Sequence, residues 1–324
     1  MRLPFEDRTC EVLVRKKAET SPLYGRLGDP SVEELIGYGA VNIDKPEGPT
    51  SHQVSDYTKK ILGIDRCGHS GTLDPKVTGV LPIALGRATR IVQTLLKAGK
   101  EYVAIMHIHA PVEETKIRKV MSGFVGRIKQ LPPIKSAVKR EERYRMVYYI
   151  DILEILGQDV LFRVGCEAGT YIRKLCSDIG AALGTNAHMA ELRRTKAGPF
   201  TEDGLFTLQD LTDALHVWKE GNDRFIRKVI RPVENAVSHL PKVWVLDTTV
   251  ESLCHGADLA LPGISRLDSD IRKGDLLAVF TLKDELVCLG RSLMASKQMM
   301  AEKGLGVKTD KVFMLPGVYP KAVH

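Results

Sequence analysis

From Tyr38 to Gly184 the chain switches repeatedly between strand-like and helix-like hydrophobic patterns, with no regular strand–helix–strand beat. YGAVNID (38–44) reads as a strand. After the turn KPEGPTS, a helix places Val54, Tyr57, Ile61 and Leu62 on one face, and either Thr50 or Ser51 fits its N-cap. VLPIAL (80–85) reads as a buried strand and ATRIVQTLLKAG (88–99) as a helix closed by Gly99. YVAIMHIH (102–109) alternates like a half-buried strand, and IRKVMSGF (117–124) is a short helix. VYYIDILEI (147–155) and VLFRVGCE (160–167) form an antiparallel pair across LGQD. TYIRKLCSDIGAALG (170–184) is the clearest helix, with Ile172, Leu175, Cys176 and Ile179 in one stripe. Hairpins mixed with helices argue against a doubly wound parallel sheet. They predict an α+β domain around a mixed, largely antiparallel sheet.

Composition shifts near 220–242, where polar WKEGNDRF precedes RPVENAVSHLPK, a short helix ended by Pro241. Beyond it, KVWVLD, GDLLAVFTLK, ELVCLGRSL and VKTDKVFML are short strands between Gly and Asp turns, a small and mostly β module. A length of 324 residues suits two domains. Hydrophobic content of 44% and charged content of 27% are those of a globular protein. No apolar run approaches the roughly 20 residues of a membrane span, and MRLPFEDRTCEVLVRKK lacks the apolar core of a signal peptide. Six scattered cysteines without a CxxC pair argue against both zinc and a disulfide framework, and fit a reducing interior.

The chemistry concentrates in RCGHSGTLDPKVTGVLP (66–82), where a lone carboxylate, Asp74, sits among Gly68, Gly71 and Pro75. The stretch is not a phosphate loop, since it lacks the GK[ST] ending. There is no GxSxG elbow and no HExxH, and no obvious second acid of the kind a glycosidase needs. His107 and His109 share one face of a strand, but no third ligand lies at a telling spacing, so they read as ordinary strand histidines. One acid on a rigid turn can still serve as a covalent or proton-handling group, although turns favour Asp in any case.

The net charge of +7 is by itself weak evidence for a polyanionic partner. KSAVKREERYR (135–145) strengthens it, with five Lys/Arg against two Glu and the aromatic Tyr144, and LRRTKAG (192–198) adds three more positive charges. Either segment alone reads equally as a solvated surface.

Five blocks decide between these readings. DKPEGPTSHQVS (44–55), GHSGTLDPKVTGVLP (68–82), KEYVAIMHI (100–108), GTYIRKLCSDIG (169–180) and HMAELRRTKAGPF (188–200) occur in the order of the TruB family of RNA pseudouridine synthases. LPPIKSAVKR (131–140) and the short link after MHIH resemble the archaeal and dyskerin-like branch, the catalytic subunit of box H/ACA ribonucleoproteins. HGADLALPGI (255–264) and KGDLLAVFTLKDELVCLGRS (273–292) are similar to a PUA domain. The resemblance implies an N-terminal extension over 1–35 packed with the PUA domain, a catalytic domain over 36–240 and the PUA domain over 241–324.

It also implies roles. Asp74 aligns with the family's catalytic aspartate, and Arg173 with the arginine that holds and orients it in a partly dry cleft. Tyr102 aligns with the tyrosine that stacks on the flipped target base. Tyr171 and Leu192 align with pocket-lining positions, and His69 with a histidine associated with opening the substrate loop. Lys45, in the DKP block, stands near the active site in a structural or phosphate role. Lys139, Arg140 and Arg143 occupy the thumb loop that closes over RNA, with the charge diluted by Glu141 and Glu142. Gly256 marks the RNA-binding side of the PUA domain. The family's reaction uses no cofactor and no metal.

The expected activity is conversion of uridine to pseudouridine in RNA. One reading has it guided on rRNA by an H/ACA RNA, with small accessory proteins docked on the catalytic domain. A second has the enzyme acting alone on the T-loop of tRNA. A third, a non-catalytic RNA-binding scaffold, would require a damaged Asp74–Arg173 pair. The absence of long Lys-rich tails suggests a prokaryotic, archaeal cytoplasm, and the lack of a long apolar run suggests no membrane association.

Overall fold

The computed structural model describes residues 1–131 and 141–321. Its chain forms two compact units, one of residues 1–6, 41–84 and 92–229, the other of 7–40, 85–91 and 230–324. This division is not the linear one expected from the resemblance. Met1–Glu6 belongs with the first unit, where Leu3 is fully buried and Glu6 accepts from Lys196 Nζ at 2.9 Å.

The first unit is built on a mixed sheet. Its strands run in the order Gly39–Lys45, Thr78–Leu85, Ala187–Ala197, Lys100–Ile108, Asp159–Cys166, Arg143–Leu156, Gly126–Gln130, with Cys67–His69 paired to Thr78–Leu85. Lys100–Ile108, Asp159–Cys166, Arg143–Leu156 and Gly126–Gln130 pair antiparallel in that order, and the pairing of Arg143–Leu156 with Asp159–Cys166 is the one the hairpin pattern predicts. The central strand, Ala187–Ala197, runs parallel to Thr78–Leu85 and antiparallel to Lys100–Ile108. Nothing in its charged sequence announces a strand. It lies at the centre because its charges are absorbed by neighbours: Arg193 binds Asp44 through two nitrogens at 3.0 and 3.1 Å, Arg194 is buried, and Lys196 meets Glu6.

The helices Glu114–Ser122 and Ile172–Ala182 cover one core, burying Ile117, Met121, Ile172, Leu175, Cys176 and Ile179 against Ala104, Met106, Phe162 and Val164. That apolar stripe faces the sheet and leaves Arg173 on the solvent side. The expected helix over 88–99 is split, with a 3-10 turn at Gly86–Ile91 and the α-helix at Val92–Lys97. Lys100 closes it from beyond its end, donating from Nζ to the carbonyls of Leu95, Leu96 and Ala98 at 2.7–3.0 Å.

The second unit is a seven-stranded sheet in the order Val12–Val14, Ile264–Asp268, Lys242–Val245, Leu276–Phe280, Leu286–Ser292, Leu305–Val312, Leu259–Ala260. The N-terminal segment contributes its edge: Val12–Val14 pairs antiparallel with Ile264–Asp268, and Arg8 binds Asp270 at 2.6 Å.

Back in the first unit, Glu101 is a buried carboxylate that bonds to the hydroxyls of Tyr149 and Thr195, the latter at 2.7 Å, with Lys196 3.7 Å away. Tyr149→Phe takes one donor from that buried charge. It should lower stability by about 1–2 kcal/mol, read from denaturant unfolding, without changing the fold seen by circular dichroism.

Candidate active site

The loop carrying Asp74 is fixed by its backbone. Lys45 is fully buried, and its ammonium donates to the carbonyls of Pro46 at 2.8 Å, Pro75 at 3.0 Å and Val77 at 2.8 Å. Gly48 N–H adds a second bond to Pro75 O at 3.0 Å. Ser51, also fully buried in the first turn of the helix Ser51–Leu62, accepts from Leu73 N–H at 2.8 Å. Thr50 is the N-cap of that helix, closing a capping box with Gln53. Leu73 and Val77 sink their side chains, so Asp74, Pro75 and Lys76 between them face outward. Within the turn, Val77 N–H bonds Asp74 O at 2.9 Å.

These bonds assign Lys45 a role. All three of its donors are spent on carbonyls, so the side chain has none left for a substrate and serves to position the turn. Burial pushes its ammonium below the usual lysine range, with the charge of Asp74 partly offsetting the shift.

Arg173 Nη2 meets Asp74 Oδ2 at 2.5 Å across 99 residues of sequence. The two side chains keep 61% and 53% of their surface exposed, so the partly dry cleft expected from the resemblance is not present in this structure. An ion pair this solvated adds at most about 1 kcal/mol to stability. Its consequence is geometric: it sets where the carboxylate points. Gln130 fixes the backbone two residues before Arg173. Tyr171 is the N-cap of the helix Ile172–Ala182 without a side-chain cap. Gln130, 2% exposed, takes the place of a backbone partner, accepting from Tyr171 N–H at 3.0 Å and donating to Tyr171 O at 3.1 Å.

Tyr102 lies opposite Arg194, and Leu192 opposite Ala104, on one face of the two central strands. Tyr102 and Leu192 are partly buried and pack on the edge of the core. Arg194 is 1% exposed, and its guanidinium donates to Val80 O at 2.7 Å and reaches Gly71 O at 3.5 Å. Burial raises the Tyr102 phenol, Arg194 pulls it back, and the charge of Asp74 reaches it as well. Arg194 is thus a site residue that the sequence shows only as one more positive charge. LRRTKAG offers no spare charge to a phosphate, because each of its cations already has a partner. Gly79 makes the burial possible: its φ is +102°, and a Cβ there would stand 2.2 Å from Arg194 O.

His69 opens the loop, its Nδ1 accepting from Gly71 N–H at 3.3 Å and its ring lying 4.7 Å from that of His52. Burial, then the neighbouring His52, lowers its pKa to about 4, so the ring is neutral at physiological pH. Lys139 and Arg140 lie outside the described residues. Arg143 starts the strand Arg143–Leu156 opposite Gln130. Glu142 is paired with Lys129 at 2.6 Å. In the second unit, Gly256 sits exposed with φ +86° just after the helix Asp247–Cys254, with open space around it.

The first unit thus carries an exposed aspartate on a backbone-fixed turn, paired with an arginine, and the second unit is a separate, small and mostly β module. Family models match nearly the whole chain. The TruB family pseudouridylate synthase N-terminal domain matches residues 59–172, the tRNA pseudouridylate synthase B C-terminal domain 173–238, the PUA domain 241–313 and the DKCLD domain 2–55. The "Probable tRNA pseudouridine synthase B" of Methanopyrus kandleri is 55% identical over 99% of this chain and 96% of its own. That of Pyrococcus abyssi is 58% identical over 96% and 95%. The solved "Cbf5-Nop10-Gar1 Complex" superposes with a TM-score of 0.93 at 55% identity, covering 99% of both chains. An "H/ACA RNP bound to a substrate RNA containing 2'-deoxyuridine" gives 0.90 at 53%, covering 99% of each. The chain belongs to the TruB/Cbf5-like family of pseudouridine synthases.

Two outcomes follow from the loop. Lys45→Met, close to isosteric but without donors, should cost about 1–3 kcal/mol through the carbonyls it leaves unpaired, and should lower turnover more than tenfold although Asp74 is intact. His69 resists protonation when folded, whereas the unfolded chain takes up a proton near 6.5. Its stabilisation is therefore present above pH 6.5 and lost as pH falls toward 4. His69→Gln should flatten the dependence of Tm on pH over that window.

Proposed function

We propose that Asp74 is the catalytic acid of this synthase, with Arg173 orienting it and Tyr102 stacking on the target base. The observation that carries this is the 2.5 Å contact between Arg173 and Asp74 on a turn whose backbone is fixed at residues 73, 75 and 77. In this reaction the N1–C1′ bond of uridine breaks, the detached uracil turns over, and a bond forms from C5 to C1′ while C5 gives up its proton and N1 takes one up. The product is an isomer, with no atom gained or lost. An extruded base needs a grip that tolerates rotation, which an aromatic face supplies. Tyr171 and Leu192 line the pocket around it. The solvated state of the Asp74–Arg173 pair assigns the exclusion of water to the bound RNA.

The RNA is taken up as in the ribonucleoprotein structures that this chain resembles. A box H/ACA guide RNA pairs with the target, the PUA domain holds the guide near Gly256, and small accessory proteins dock on the catalytic domain. Lys139, Arg140 and Arg143 contribute phosphate contacts that give affinity without choosing sequence. A second reading, action on tRNA without a guide, has support in the tRNA synthase names of the relatives. Among the described residues no helix is long and apolar enough to cross a membrane. The six free cysteines and the archaeal relatives support a reducing, archaeal cytoplasm as the place of action.

Asp74→Asn should abolish pseudouridine formation, a loss of at least about a thousandfold, while RNA affinity stays within twofold of the unaltered protein. Substantial product from that variant rules the assignment out. Assays on tRNA and on an rRNA fragment, with and without guide RNA and accessory proteins, separate the two modes. Turnover confined to tRNA and indifferent to guide would sink the guided reading.

A further inference from the structure

Three cations are buried around the Asp74 turn and the start of the Tyr102 strand: Lys45, Lys100 and Arg194. The two ammonium groups are spent on the main chain, Lys45 on the carbonyls of Pro46, Pro75 and Val77, Lys100 on those of Leu95, Leu96 and Ala98. Arg194 likewise meets carbonyls, those of Val80 at 2.7 Å and Gly71 at 3.5 Å. The ion pairs of this region belong instead to Arg173, Arg193 and Lys196, and among the described residues none of the three buried cations forms one. Buried charge is ordinarily matched by an opposite charge, because carbonyl dipoles recover only part of the lost hydration. Of the three, Arg194 is the one that faces Tyr102. The two residues are cross-strand partners, and the guanidinium lies within reach of the phenol.

We propose that Arg194 stabilises the detached uracil as an anion, acting from behind Tyr102 without touching the RNA. The inference rests on the reading that Tyr102 stacks on the target base. When the N1–C1′ bond breaks, both of its electrons leave with the uracil, whose ring then carries one negative charge spread over N1, O2 and O4. That charge lasts until a pair from C5 closes on C1′, C5 releases its proton and N1 takes one up. Charge that exists only between two bond changes is best met by a group oriented beforehand in a site without water. A guanidinium enclosed by strands is such a group, with no solvent to screen it and no carboxylate to cancel it.

The turnover of the base favours a field over a direct contact. A hydrogen bond to one ring atom would have to break as N1 gives way to C5, whereas a charge behind the ring has no preferred atom. The other charged groups nearby are unsuited to this. Arg173 is tied to Asp74, and His69 is neutral. Lys45 and Lys100 have no donors to spare, and burial, then the charge of Arg194, brings Lys100 down to about 7. Burial lowers Arg194 as well, with Tyr102 opposing the shift, but an arginine starts far enough above neutrality to keep its charge.

The test reads the charge directly. In an RNA that the unaltered protein converts, 6-azauridine, whose ring N–H ionises near neutrality, replaces the target uridine, and Asp74→Asn holds the complex without turnover. Ultraviolet titration should show the bound ring ionising at least about half a pH unit below the free RNA. The shift should vanish when Arg194→Met is added and persist with Arg194→Lys. With Asp74 intact and uridine as target, Arg194→Met should lower kcat at least about thirtyfold while RNA Kd stays within about twofold, and Arg194→Lys should recover most of the loss. Unfolding temperatures check each variant. Should Arg194→Met not fold, the comparison of bound with free RNA, made with Arg194 in place, still decides. Equal ionisation in bound and free RNA overturns the proposal, as does a shift that survives Arg194→Met or turnover that ignores it. Product from Asp74→Asn refutes the reading of the site itself, whereas turnover that needs Asp74 but not Arg194 refutes this inference alone.

Discussion

The catalytic unit depends on a buried guanidinium. Arg194 sits in the middle of the strand that joins the two sides of the sheet: parallel to the strand behind Asp74, antiparallel to the strand that carries Tyr102. A charge this deep is tolerated because oxygens meet it, among them the carbonyls of Val80 and Gly71. Those contacts tie the start of the Asp74 loop to the sheet and place a fixed positive charge under the Tyr102 hydroxyl. Glycine at 79 is a condition of the arrangement, since a side chain there would collide with the Arg194 backbone.

Rigid backbone and solvated side chains divide the work at the site. Lys45 and Ser51 spend buried polar groups on the main chain around Asp74, while the carboxylate and its arginine remain in water. An exposed ion pair is weak and mobile by itself. On a turn with so little freedom, it becomes a defined geometry. Gln130 extends the same logic to the partner, fixing the backbone of Tyr171 so that Arg173 leaves the helix in the required direction.

Local patterns are legible in the chain where local physics decides. The helix Ile172–Ala182 follows from its apolar stripe, the helix Ser51–Leu62 from its cap, and the hairpin of Arg143–Leu156 with Asp159–Cys166 from alternation around a Gly turn. The strand Ala187–Ala197 is not legible this way. Its arginines and lysine suggest a solvated surface, and their burial and pairing depend on Asp44, Glu202 and Glu6, all remote or in other elements. Lys45 is left open for the same reason: near an active site of an RNA enzyme it fits a structural or a phosphate role, and the fold encloses it with three carbonyls. His188 stayed invisible as a neighbour of His107 because strand register, set by the whole sheet, brings them side by side.

By itself the sequence determined the reaction class and the candidate acid, because five ordered blocks around Asp74, Tyr102, Arg173 and Leu192 are too specific to arise without the chemistry they serve. It determined the mixed α+β character as well, since hydrophobic period is a local property. Tertiary structure alone decided which charges are buried, which cation holds which carbonyl, and that the Asp74–Arg173 pair stands in solvent. Burial and pairing belong to contacts between distant segments, and only the folded chain brings those segments within a hydrogen bond of each other.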